Sequence, residues 1–146
     1  MRVLVLAVAV LMAVAPVMAE DAAKKEMAQL EGEWSMVSGE LNGATIPEAM
    51  VKTGKRIAKD GETTIYFGRQ LNFKAKFRID PTKKPKTIDY TMTAGPTKGK
   101  THLGIYELDG DTVKFCFAAP GKDRPTDFTA KEGSQQTFSV WKQLKK

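Results

Sequence analysis

The sequence predicts an all-β domain: an antiparallel up-and-down barrel of about eight strands, with a short helix after the first strand. Three observations carry that expectation. From Leu71 to Ile79, the apolar residues Leu71, Phe73, Ala75, Phe77 and Ile79 alternate with Asn72, Lys74, Lys76 and Arg78, giving one buried and one wet face. Tight-turn pairs, Asn42-Gly43, Asp60-Gly61 and Asp109-Gly110, punctuate a series of short runs of this kind. An open sheet of so many strands would leave two unpaired edges, which closure into a barrel removes. A barrel of this size encloses room for side chains or for one small ligand. A two-sheet sandwich is the runner-up.

The chain opens with Met1-Arg2, an unbroken apolar run from Val3 to Ala15, then Pro16 and the small-residue stretch Val17-Met18-Ala19. This is the pattern of a secretory signal cut between Ala19 and Glu20. The run is shorter than the ~20 residues that a spanning helix needs. Of 146 residues, removal of 19 leaves 127, enough for one domain, residues 20–146, with a single core. Glu20 to Leu30, rich in Ala, Lys and Glu, is expected as a short helix or loose lead-in.

Gly32 to Leu41 begins the strands, with Trp34, Met36 and Ser38 on one side. Thr45 and Glu48 have capping-box spacing, Pro47 falls in the first turn, and Gly54 is placed to end a short helix. Arg56 to Lys59 and Thr63 to Phe67 follow as strands joined at Asp60-Gly61. After the Leu71–Ile79 strand, Pro81, Pro85 and three lysines between Asp80 and Lys86 cannot continue a ladder. Thr87 to Thr93 then sets Ile88, Tyr90 and Met92 against Asp89, Thr91 and Thr93, and Ala94 to Lys100 is a loop. His102–Glu107 and Asp111–Phe117 form a hairpin. A three-residue loop with Gly110 left-handed pairs Glu107 with Asp111. It puts Leu103, Ile105, Val113, Phe115 and Phe117 on one face, and His102, Tyr106, Lys114 and Cys116 on the other. A two-residue turn would exchange these partners. Ala118 to Asp127 is a loop, and Gln135 to Leu144, carrying Trp141, is the closing strand.

Gly32-Glu33-Trp34 resembles the Gly-x-Trp signature of lipocalins, in which the tryptophan closes the barrel base. A broader set spans nearly the whole mature chain. It comprises Leu30 to Trp34, Pro85 to Asp89, Lys98-Gly99-Lys100, Gly104 to Asp111, Cys116-Phe117 and Pro120 to Pro125. This set resembles a family of small exported domains abundant in planctomycetes. The resemblance implies a lipocalin-like fold. That family has no established activity, so the resemblance brings architecture and no catalytic residues.

Net charge is +6, with acidic residues interspersed among the lysines. That balance suits solubility and weak attraction to an anionic envelope surface, and falls short of a nucleic-acid footprint. The mature part holds no apolar stretch long enough to span a membrane. Its only cysteine, Cys116, excludes an intramolecular disulfide, and its only histidine is His102. In the three-residue register these two are cross-strand neighbours, but a thiol between Phe115 and Phe117 is better explained as packed and inert. Two such residues are too few for a zinc site. Asp109 and Asp111 are explained by turn chemistry rather than calcium. No catalytic residue, metal site or cofactor is expected.

The basic stripe of Lys74, Lys76 and Arg78, extended by Lys83, Lys84 and Lys86, is explained as a solvated face. Trp34 and Trp141 are expected to seal the barrel base. Arg124 is expected either to reach across the barrel mouth to an anionic ligand or to pair with Asp123 or Asp127. The expectation is therefore an exported, non-enzymatic protein that binds a small apolar or anionic ligand in its barrel. Trp34, Tyr90 and Arg124 are the candidate contacts. The competing expectation is an envelope-associated interaction module whose barrel is filled by Phe73, Phe77, Tyr90, Phe115, Phe117 and Phe138.

Overall fold

The structure is a computed structural model that describes residues 14–145, with side chains described over 20–144. Met1-Arg2 and the apolar run as far as Ala13 lie outside the described residues. Eight antiparallel strands close into a barrel: β1 (Gly32–Leu41), β3 (Gly54–Lys59), β4 (Glu62–Phe67), β5 (Gln70–Asp80), β6 (Lys86–Ala94), β7 (Thr101–Asp109), β8 (Thr112–Phe117) and β9 (Thr137–Lys145). Neighbours in space follow sequence order, and β9 returns to pair with β1, so no edge is left in the ring. The short β2 (Ala44–Thr45) folds back on the end of β1, and helix α2 (Glu48–Val51) follows it. Helix α1 (Val14–Leu30) leads into β1.

The barrel interior has two layers. Toward the base, Trp34, Ala58, Ala75, Phe77, Ile88, Tyr106 and Val113 are all buried. Each comes from alternating inward positions of its strand, the pattern that half-buried strands demand. Helix α1 closes this end. Leu30 is fully buried, and its carbonyl accepts a hydrogen bond from Trp34 Nε1 at 3.0 Å. Glu26 takes hydrogen bonds from Lys86 Nζ and the Tyr106 hydroxyl, Glu31 Oε1 accepts from the Asp60 amide, and Gln143 donates to the Glu31 carbonyl. The helix is thereby tied to four strands or turns around the rim of the base. Trp34 seals that end as expected, while Trp141 sits one layer higher, opposite Met36 at the β1–β9 seam.

Three local expectations need correction. In β1 a bulge between Met36 and Ser38 leaves Val37 without a cross-strand partner and 53% exposed. The extra residue shifts the phase by one, so Gly39 rather than Ser38 turns inward. Thr45 does not cap α2: it is engaged with Glu40 in the β1–β2 ladder, and Pro47 is the N-cap, with no side-chain cap bond. Gly54 opens β3 rather than ending the helix.

The third correction is the β7–β8 register. Glu107 pairs with Lys114 and Asp109 with Thr112, leaving the two-residue turn Gly110-Asp111, with Gly110 at φ 59°. That reverses the β7 faces. Tyr106 lies opposite Phe115 on the inside, whereas Ile105 lies opposite Cys116 on the outside. Ile105 and Cys116 are nonetheless buried, because the segment from Ala118 to Gln136 packs over them. Cys116 Sγ donates to the Thr129 carbonyl at 3.2 Å, and Gln136 donates to the same carbonyl at 2.8 Å.

Candidate ligand cavity

The upper half of the barrel is not filled. A cavity of about 610 Å³ lies between the aromatic floor and the loops at the end away from α1. Its floor is made by Arg56, Tyr90, Phe115 and Trp141, and its walls by Met36, Ile65, Phe73, Met92 and Phe117. The aromatic side chains hold one another in place: Phe73–Tyr90 centroids are 6.0 Å apart, Tyr90–Phe117 4.2 Å and Phe115–Phe117 5.9 Å. They are spread around the wall, so they shape the space rather than occupy it. Glycine contributes too. A Cβ on Gly104 would stand 2.4 Å from Phe117 Cδ1, so the bare backbone there gives the Phe117 ring its place.

The mouth is framed by the β2–α2 arm, with Leu41 and Met50 exposed, by Phe67 and Asn72 near the β4–β5 turn, and by Pro96 and Thr97 between β6 and β7. His102 stands at this rim. Its Nδ1 is 3.0 Å from the Ala118 carbonyl, which only accepts, so Nδ1 carries a proton, and Nε2 is hydrogen-bonded with the Thr97 hydroxyl at 2.9 Å. Both ring nitrogens are thus used within the protein. His102 pairs across the ladder with Tyr90, and Cys116 faces outward on the other side of the sheet, so the two do not meet. Burial pushes the Cys116 thiol up, away from the thiolate that a nucleophile needs. Among the described residues no three His, Cys, Asp or Glu side chains group as metal ligands.

The one charged group of the cavity is Arg56. It is 1% exposed. Nη2 donates to Thr63 Oγ1 at 3.0 Å, and the guanidinium lies 4.0 Å over the Phe115 ring, with Phe77 at 5.9 Å and Tyr90 at 6.0 Å. Nε is buried with no hydrogen-bond partner, and no carboxylate among the described residues forms an ion pair with this arginine. Burial lowers its pKa, with Tyr90 acting in the opposite direction, yet a guanidinium stays charged at neutral pH. The Tyr90 phenol is pushed up by its burial, against the pull of the Arg56 charge and a hydrogen bond with Thr63.

The three contacts expected from sequence part company here. Tyr90 lines the cavity. Trp34 lies below the floor, its indole committed to Leu30. Arg124 is on the outer face of the barrel, bonded to Asp89 Oδ1 at 2.6 Å, the Gly104 carbonyl at 2.8 Å and the Ile88 carbonyl at 3.4 Å. It pairs with neither Asp123 nor Asp127, and it fastens the Ala118–Asp127 loop to β6 and β7. Arg56 was not anticipated. The signal for it is the order Gly54-Lys55-Arg56-Ile57-Ala58-Lys59. If Ile57 faced in, Lys55 and Lys59 would be buried with it, so the alternation that hides one cation instead of two puts Arg56 inside.

Fold and cavity together define an antiparallel barrel closed at one end by a helix, with a mostly apolar cup at the other. No protein-family model, curated protein or solved structure matches this chain.

Proposed function

We propose that this protein is an exported, non-enzymatic binding protein that holds one small, largely apolar ligand inside its barrel. The observation that carries the proposal is the cavity of about 610 Å³ with apolar walls and a mouth at one end. Protein interiors are packed like organic crystals, and large apolar voids are costly. A space of this size, within the range typical of small-molecule pockets, fits a receptor better than a folding core. The same space weighs against the alternative, an envelope-associated interaction module with a filled barrel. The proposal of export rests on the signal-type pattern of the first 19 residues; N-terminal sequencing of the exported protein should begin at Glu20, and an intact Met1 would overturn it. The proposal of kinship with the exported planctomycete-type domains rests on the motifs described above.

Titration of the mature protein with the neutral dye Nile red tests the binding. Saturable, one-to-one fluorescence enhancement is expected. Met92→Trp, which places a larger ring in the cavity wall, should weaken it about tenfold or more while the protein still melts cooperatively. Absence of saturable binding, or equal binding by the Met92 variant, would overturn the reading.

A further inference from the structure

We infer that Arg56 anchors an anionic head group, and that the ligand is a single-chain monocarboxylate bound head-down, with its apolar tail running to the mouth. This deepens the binding reading above and rests on it.

The first argument is the state of Arg56 itself. A buried cation without a counter-charge is expensive, and the Phe115 ring and the Thr63 hydroxyl replace only part of what water would give it. The Nε–H is an orphan donor inside a protein where nearly all such groups are satisfied. An anion in the cavity supplies both the missing charge and the missing acceptor. Geometry then selects the kind of anion. The guanidinium lies over Phe115 with Nη2 held by Thr63, which leaves the Nε–H as an unused part of a flat donor fork. A planar, two-oxygen carboxylate matches that fork. There is one cation in the cavity and no second, so the complement is a monoanion rather than a doubly charged phosphate.

Orientation follows from where the polar groups stand. Arg56 pairs with Trp34 across β1–β3, and Trp34 is locked to the closing helix, so the charge sits at the floor. The rim adds no lysine or arginine to the cavity lining, and both ring nitrogens of His102 are engaged, with the Thr97 hydroxyl and the Ala118 carbonyl. Leu41 and Met50, exposed at 52% and 42%, make the way out apolar. Between floor and mouth the wall is methionine, isoleucine and aromatic surface, which suits an acyl chain of variable conformation.

The test is displacement of Nile red by a saturated fatty-acid series, by the matched methyl esters, and by alkyl sulfates and alkyl phosphates of equal length. Acids should bind about ten to a hundred times more tightly than their esters, the range that a charge-assisted hydrogen bond supports. Affinity should rise about fourfold per methylene until the chain reaches the mouth. Arg56→Met should abolish the preference for acid over ester and change ester binding less than threefold, while Arg56→Lys should keep part of it. If acids and esters bind equally to the unaltered protein, the head-group assignment is wrong and the apolar-binding reading survives. If alkyl phosphates outcompete acids, the anion class is wrong. If neither acids nor esters displace or bind, the binding reading itself fails. The comparison on the unaltered protein decides the matter even where an Arg56 variant does not fold.

Discussion

Replacing Arg124 with alanine should lower stability by about 1–3 kcal/mol and leave ligand affinity unchanged. The figure comes from what the guanidinium touches. Its 2.6 Å contact with Asp89 Oδ1 and 2.8 Å contact with the Gly104 carbonyl are short, well within charge-assisted range. The 3.4 Å contact with the Ile88 carbonyl is at the limit of a hydrogen bond and adds little. Two charge-assisted bonds would contribute roughly 3–6 kcal/mol if both were fully buried. Here the Arg124 and Asp89 side chains are 30% and 28% exposed, so water replaces a good part of each bond, and the lower range follows. For a domain of this size that amounts to a fall in Tm of roughly 3–15 °C. Thermal and urea melts of the variant, run beside a Nile red titration at one temperature, separate the two effects. An unchanged melt with a loss of affinity above threefold would refute the assignment, because it would mean that Arg124 serves the ligand and not the loop. No change in either would mean that the contacts are as weak as an ordinary exposed ion pair.

Two further outcomes bear on the fold. Gly104→Ala places a Cβ 2.4 Å from the Phe117 ring and 2.9 Å from the Cys116 carbonyl, and the backbone atom cannot swing away. A loss of about 2–4 kcal/mol in urea unfolding is expected, and a change below ~0.5 kcal/mol would show that the β7–β8 register differs. Tyr106 has its phenol raised far above the ordinary tyrosine range, by burial first and by the Glu26 hydrogen bond and charge second. A group raised in the folded state keeps its full contribution below its unfolded pKa of about 10 and loses it as pH climbs beyond. Alkaline unfolding should therefore begin above about pH 10, and Tyr106→Phe should make the stability profile above that pH flatter. An equally steep profile in the variant would assign the alkaline transition to other groups.

The parts of this architecture that were legible in the sequence are those where local chemistry and packing agree. From Phe73 onward β5 alternates as expected, as does β6, and Ala75, Phe77, Ile88, Tyr90 and Met92 are buried as that alternation requires, whereas a ladder irregularity at Asn72 leaves Leu71, expected on the buried face, 40% exposed. Proline and lysine in the β5–β6 linker break the ladder where the structure breaks it. Register was less legible, because Asp109-Gly110-Asp111 supports a turn on either side of the glycine. Only packing of the 118–136 segment over Ile105 and Cys116 makes an apolar outer face on β7 and β8 tolerable. The same cause hid the role of Arg124, whose partner Asp89 is remote in sequence and on another strand. Arg56 was obscured by a habit of pattern reading: a cation in a strand is counted as outward. Its neighbours Lys55 and Lys59 carried the contrary information, but a single residue facing the wrong way does not disturb an average.

The seam between β1 and β9 has a consequence for how the barrel comes into being. It joins residues from Glu33–Lys145 to Leu41–Thr137, the two ends of the barrel, while the other ladders of the ring join its strands in sequence order, β1 to β3 across the β2–α2 arm. The hairpins from β3 to β8 can therefore form in order as the polypeptide emerges, each over a short connection, whereas β8 reaches β9 only across residues 118–136. The ring stays open until the last strand arrives, with β1 offering unpaired amides throughout synthesis. Such a late, distant pairing slows folding relative to a local one. Closure, and with it the walled cavity above the aromatic floor, waits for β9.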